Sequence, residues 1–167
     1  MKNFYCPLPF KHVFLEPRGV KPCCSYTEMY NGSIKDWLSS SELAHLQSQI
    51  ISGKIPKGCE YCINGEIKDG TSTRLGALND YPELIATDTD IDYVDYRASN
   101  VCNFRCRSCD PYYSYRIAQE AKENPKLIEF YPVPDNKFVP TTVEDKQWII
   151  DHLPNIKRLM FTGGEPT

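Results

Sequence analysis

The chain has 167 residues, 41% of them hydrophobic and 25% charged, with a formal net charge of -3. That is enough apolar material for one packed domain or two small ones, and basic residues scattered among acidic ones exclude the electropositive face that a phosphate backbone requires. With no signal-peptide pattern and no run of about 18 apolar residues, neither a membrane nor a nucleic acid is an expected partner, and a cytoplasmic location is the default.

In chain order, residues 11–15, with Val13 and Phe14, read as a strand, and Glu16-Pro17-Arg18-Gly19 reads as the turn that follows it. Ser33 with Asp36 and Ser39 with Glu42 have capping-box spacing, and Leu43, Leu46 and Ile50 recur on one helical face until Gly53 stops the run. This helix is expected to pack over cysteine-bearing turns, with its His45 as a surface or packing residue. The polar run 87–90 reads as a connection, placing a boundary near residue 88. Beyond it, 91–98 reads as a strand, 113–122 as a helix, and a proline-broken stretch covers 125–140. A helix starts at Thr142, capped by its spacing to Asp145, and ends before Pro154; 157–162 supplies a short strand. Strand, helical crossover and strand make a parallel unit, whose ligand sites lie beyond the carboxyl ends of its strands.

Eight cysteines require an explanation. In a reducing compartment they are thiols, and their tight local grouping favours metal or cluster ligation over a disulfide framework. One set is Cys6, Cys23, Cys24, Cys59 and Cys62; the other is Cys102, Cys106 and Cys109. The second set offers three thiolates in one loop, with no histidine or fourth cysteine nearby to close a tetrahedral structural site. Three ligands on a four-iron cluster leave one iron open for a substrate, whereas a cluster closed by four cysteines only moves electrons. Arg105 and Arg107 favour the thiolate forms.

The loop Cys102-Asn103-Phe104-Arg105-Cys106-Arg107-Ser108-Cys109 resembles the C-x3-C-x2-C signature of the radical S-adenosylmethionine superfamily. The resemblance implies an α/β fold, the start of a partial (β/α) barrel. It also implies a 4Fe-4S cluster whose open iron binds the amino and carboxylate groups of S-adenosylmethionine, and reductive cleavage to a 5'-deoxyadenosyl radical that abstracts hydrogen from substrate. Gly163-Gly164-Glu165-Pro166 reproduces the family's glycine turn after the second strand, which implies that Gly163, Gly164 and Glu165 bind the cofactor's ammonium group. Ser108 stands where the family commonly has an aromatic residue, which leaves the adenine contact open. An electron donor such as a flavodoxin or ferredoxin is implied as a partner.

The N-terminal set resembles the auxiliary-cluster modules called SPASM and twitch, through Cys6-Pro7-Leu8-Pro9-Phe10, Gly19 with Pro22-Cys23-Cys24, and Cys59-Glu60-Tyr61-Cys62. This implies a second 4Fe-4S cluster on Cys6, Cys23, Cys59 and Cys62, with Cys24 an alternative to Cys23. Zinc is the competing occupant, because paired cysteines separated by two residues also bind zinc. Glu66, Gly70, Ser72 and Arg74 recur in twitch-bearing proteins; a turn with a solvated salt bridge accounts for them. His12 reads as a strand residue, and Tyr112, Tyr113 and Tyr115 as packing against the barrel.

The expected organisation is therefore a small cysteine-rich module over 1–88, followed by the first part of a partial barrel over 89–167. With two parallel strands in that second part, exposed sheet edges and an incomplete core are expected, as in a fragment or split gene product that binds clusters but turns over poorly alone. Relatives with such modules often modify ribosomally made peptides, which makes a peptide the candidate substrate. The competing functions are a non-catalytic iron-sulfur electron carrier and a zinc-binding interaction module.

Overall fold

The computed structural model describes residues 4–82, 90–106, 108–109, 111–129 and 141–163. The predicted boundary near residue 88 lies outside them. The architecture is mixed α/β: helices pack on one open, four-stranded mixed sheet.

The chain enters through a helical turn, α1 (Leu8–Lys11), whose Pro7 and Pro9 suit a helix start because proline's missing N–H is an orphan there anyway. Strand β1 (His12–Glu16) follows, one residue later than predicted, then the Pro17-Arg18 turn and β2 (Gly19–Lys21). Gly19 adopts φ +145, and a Cβ there would meet the Tyr30 carbonyl oxygen at 2.1 Å, so only glycine fits. Helix α2 (Ile34–Leu38) opens on the predicted Ser33/Asp36 capping box. Helix α3 (Ser41–Ile51) is capped by Ser40, whose hydroxyl accepts from the Leu43 N–H, rather than by Ser39, whose hydroxyl turns back to the Lys35 carbonyl. Its Leu43, Leu46 and Ile50 are buried as the period required, His45 is exposed, and Gln47 donates to the Pro9 carbonyl, seating the helix on the turn behind Cys6.

Two further helices, α4 (Glu60–Asp69) and α5 (Thr73–Asp80), meet at Gly70, which is left-handed, and Ser72, whose hydroxyl caps α5 through Leu75 N–H. Strand β3 (Tyr93–Tyr96), α6 (Tyr115–Glu123), α7 (Pro125–Ile128), α8 (Val143–His152), a short 3-10 turn (Leu153–Asn155) and β4 (Arg158–Phe161) complete the order.

The sheet order is β2-β1-β3-β4; β2 is antiparallel to β1, while β1, β3 and β4 run parallel. The sheet thus takes strands from both sides of residue 88. One edge of β3, expected to be bare, is covered by β1, and β4 is the exposed edge among the described strands, with Met160 and Phe161 open to solvent.

Side-chain alternation gives the two sheet faces different chemistry. Val13, Leu15 and Val94 share one face and, with Phe10, Val20, Ile34 and Ile50, form the buried core. The other face carries His12, Phe14 and Glu16 beside Tyr93 and Asp95, and its buried polar groups lead to the carboxyl ends of β1, β3 and β4. Buried Asp92 fixes the opposite end of β3: it accepts from the Tyr81 hydroxyl at 2.5 Å and from Lys157 at 3.0 Å.

Candidate functional site

Four of the five cysteines of the first set line one small cavity. Cys6 precedes α1, Cys23 follows β2, Cys59 caps α4 and Cys62 lies in its first turn; all four line the same space, with Tyr26 and Arg74 on its wall. Cys6, Cys23 and Cys62 are buried and Cys59 is half-buried, whereas Cys24 is exposed, with its sulfur 3.9 Å from the Ser25 hydroxyl. Of the two alternatives in the Cys23-Cys24 pair, the fold turns Cys23 inward.

Burial pushes the Cys6 thiol up to about 12, against an N–H from Leu8; neighbouring Cys59 and Cys62 add to the rise and Arg74 opposes it. Cys59 is pushed up to about 12 by burial and then by Cys62, and Cys23 is raised chiefly by burial. Four thiolates in this space would repel one another without a cation, so a cationic metal core is what would stabilise their ionised form. In donor type and number the set fits a four-cysteine iron-sulfur cluster. Among the described residues, no group of three or more His, Cys, Asp or Glu side chains stands close enough to hold a metal ion, so the four thiols share a cavity without being drawn together.

Arg74 is fixed by a two-point ion pair with Glu66, by donation to the Tyr5 carbonyl at 3.0 Å, and by packing 5.0 Å from the Phe4 ring. Ser72 donates to the same carboxylate at 2.6 Å. The expectation of a solvated bridge is corrected. The side chains are only 14% and 17% exposed, because α4 and α5 close on the segment leading to Cys6. His12 opens β1; its Nδ1 faces the Pro22 carbonyl at 2.9 Å and its ring packs 4.1 Å from Tyr93.

The second set lies in the loop between β3 and α6. Cys102 and Cys109 are half-buried and Cys106 is exposed; Ser108 is exposed, and Arg107 lies outside the described residues. The Phe104 N–H donates to the Cys102 sulfur at 3.4 Å, and the Cys109 N–H to the Cys106 carbonyl at 3.0 Å. Buried Asn100 anchors the loop by accepting the Tyr115 N–H at 2.8 Å, just where Ser114 caps α6. Val101 and Phe104 stand exposed on the loop. In donor type and number three thiols on one loop match a cluster held at three corners, but among the described residues Cys102, Cys106 and Cys109 are not gathered into a metal-holding group.

A comparison of the chain with protein-family models, curated proteins and solved structures finds no match.

Beside that loop, β4 ends at Thr162, whose hydroxyl donates to Asp95 at 2.7 Å, and at Gly163 with φ +72. Gly164 and Glu165 lie outside the described residues. A Cβ on Gly163 would meet Arg97 Nε at 2.4 Å, so a bare backbone is required where the turn passes the arginine. Burial raises the Asp95 carboxyl above its usual range, opposed by Thr162 and Arg97. Sequence reasoning missed Glu16, Arg18 and Arg97. Glu16 is buried, accepts from Arg18 at 2.5 Å and from Arg97 at 3.1 Å, and so ties the β1–β2 turn to the end of β3. The available signal was a pair of charges, Glu16 and Arg97, each at the carboxyl end of a predicted strand. No helix among the described residues is long and apolar enough to cross a membrane.

Proposed function

We propose that this chain is the cluster-binding portion of a radical S-adenosylmethionine enzyme. In this reading Cys102, Cys106 and Cys109 hold a 4Fe-4S cluster, and Gly163, Gly164 and Glu165 receive the ammonium group of S-adenosylmethionine. Cys6, Cys23, Cys59 and Cys62 hold an auxiliary 4Fe-4S cluster in a module over 1–88, and 89–167 begins a partial (β/α) barrel. The observation that carries it is the cysteine loop and Gly163 following two adjacent parallel strands, β3 and β4, at their carboxyl ends, where open α/β sheets bind ligands.

When bound, the cluster and S-adenosylmethionine supply reductive sulfonium cleavage to a 5'-deoxyadenosyl radical. This chain's residues hold and orient. Three thiols would leave one cluster corner free, and the Phe104 N–H would offset charge on the Cys102 sulfur. The glycine turn lets the backbone come close to a ligand, and the exposed Val101 and Phe104 offer apolar cover against water. A cytoplasmic setting, a flavodoxin or ferredoxin as electron donor and a peptide as substrate complete the proposal.

Anaerobic reconstitution followed by iron, sulfide and zinc analysis tests it. Two clusters are expected in the parent, and one after Cys102, Cys106 and Cys109 are all changed to alanine. Adding S-adenosylmethionine to the reduced parent is expected to alter the electron paramagnetic resonance spectrum. Abundant zinc without iron, or a spectrum indifferent to the sulfonium compound, overturns the reading.

A further inference from the structure

The carboxyl ends of β1 and β3 carry a charge cluster that neither cysteine set requires. Glu16 sits at the end of β1 with its side chain 2% exposed, and its two oxygens are shared between two arginines: Oε1 accepts from Arg18 in the β1–β2 turn and Oε2 from Arg97 after β3. Each arginine then covers an aromatic ring. The Arg18 guanidinium lies 3.8 Å from the centroid of Tyr112, and that of Arg97 lies 4.1 Å from Tyr113 and 5.2 Å from Phe14. Tyr112 and Tyr113 follow Asp110 and Pro111 after the Cys102–Cys109 loop in sequence, and the Arg97 side chain runs beside Gly163.

A buried carboxylate is costly unless paired, and here it is paired twice. A guanidinium held by a carboxylate is a rigid plate, and two such plates over two adjacent rings fix the backbone carrying those rings. Backbone continuity reinforces the arrangement, since the Arg97 N–H donates to the Leu15 carbonyl at 2.8 Å and the Thr162 N–H to the Tyr96 carbonyl at 3.0 Å.

We propose that Glu16 is a positioning residue: through Arg18 and Arg97 it clamps the tyrosine pair behind Cys109 and sets that loop against the Gly163 turn. The consequence for ligand binding rests on the function proposed above. The N-terminal segment thereby governs the geometry of a site whose cysteines and glycines it does not contribute. Glu16→Gln removes the charge that holds both arginines while keeping the shape, and Tyr113→Ala removes one ring from the clamp without touching the core.

The test uses the full reconstituted chain and two readouts. In hydrogen-deuterium exchange, Glu16→Gln and Tyr113→Ala are expected to speed exchange several-fold over 101–115 and at the Gly163 turn. Exchange over α3 and the segments bearing Cys6 and Cys23 is expected to stay at the parent level. Tyr113→Phe, which keeps the ring face, is expected to match the parent. In the reduced protein, half of the S-adenosylmethionine-dependent spectral change is expected to require about ten-fold more ligand in Glu16→Gln. Unchanged exchange in the loop, or acceleration spread evenly over the whole chain, overturns the positioning role. If the parent itself shows no spectral response, the proposed function fails, while the exchange measurement still decides the clamp.

Discussion

His12 shows how one side chain registers the cost of its surroundings. Burial is the main force holding its imidazole down at about 4; the Pro22 carbonyl works against that and the Arg158 charge adds to it. The unfolded chain has an ordinary histidine near 6.5, so between pH 6.5 and about 4 the unfolded state binds the extra proton. Stability therefore falls as pH drops through that window, by on the order of 3 kcal/mol once it is crossed. Above it His12 contributes no pH dependence. His12→Asn keeps a donor for the Pro22 carbonyl and removes the titration. Urea unfolding at a series of pH values is expected to show a shallower loss of stability below pH 6.5 than in the parent, and parallel curves would show that the ring is already protonated in the fold. That His12 belongs to a strand was legible from the apolar neighbours Val13 and Phe14. Its depressed pKa was not, because the rings and carbonyl around it come from residues remote in sequence.

At the scale of elements, the helix ends decide how segments join. Asp145 completes the Thr142 cap of α8 by accepting the threonine hydroxyl at 2.6 Å, and its other oxygen accepts the Ile34 N–H of α2 at 2.7 Å. One buried carboxylate thus closes two helix starts, its partner Ile34 lying 111 residues away in sequence. Asp145→Ala leaves the Ile34 N–H without its acceptor inside the protein, and a cost of about 2–3 kcal/mol is expected in denaturant unfolding. Asp145→Asn, which keeps an acceptor oxygen, is expected to lose less. Equal losses in both variants would show that charge rather than hydrogen bonding is what matters. The caps at Ser33 and Thr142 were readable because a cap is local chemistry between residues three apart. The same rule pointed one residue early at Ser39, where two adjacent serines offer the same hydroxyl. Helices α4 and α5 escaped notice because their buried positions are too few to show a period. They are held instead by Gly70, Ser72 and the Glu66–Arg74 pair, which the sequence displays as an ordinary turn.

Across the whole molecule, the decisive fact is that β1 and β3 are neighbours in one sheet. Periodicity identifies strands but does not say which strand lies beside which, so the pairing of β1 with β3 was not legible in the sequence. The interleaving is extensive: Val13 and Val94 face each other with no exposure, Glu16 holds Arg97, and Asp145 holds α2. Residues 89–167 alone would lose the strand beside β3, the partner of Arg97 and the helix start beside Asp145, and would present parallel-sheet edges on both sides. We expect that segment, expressed by itself, to lack cooperative unfolding and dispersed amide resonances. Coexpression with 1–88 is expected to yield a complex that copurifies and regains both, because the strand edges and the Glu16–Arg97 and Asp145–Ile34 contacts are re-formed between the pieces. A well-dispersed spectrum from 89–167 alone would show instead that the second segment holds its own core, and that β1 merely decorates a sheet able to stand without it.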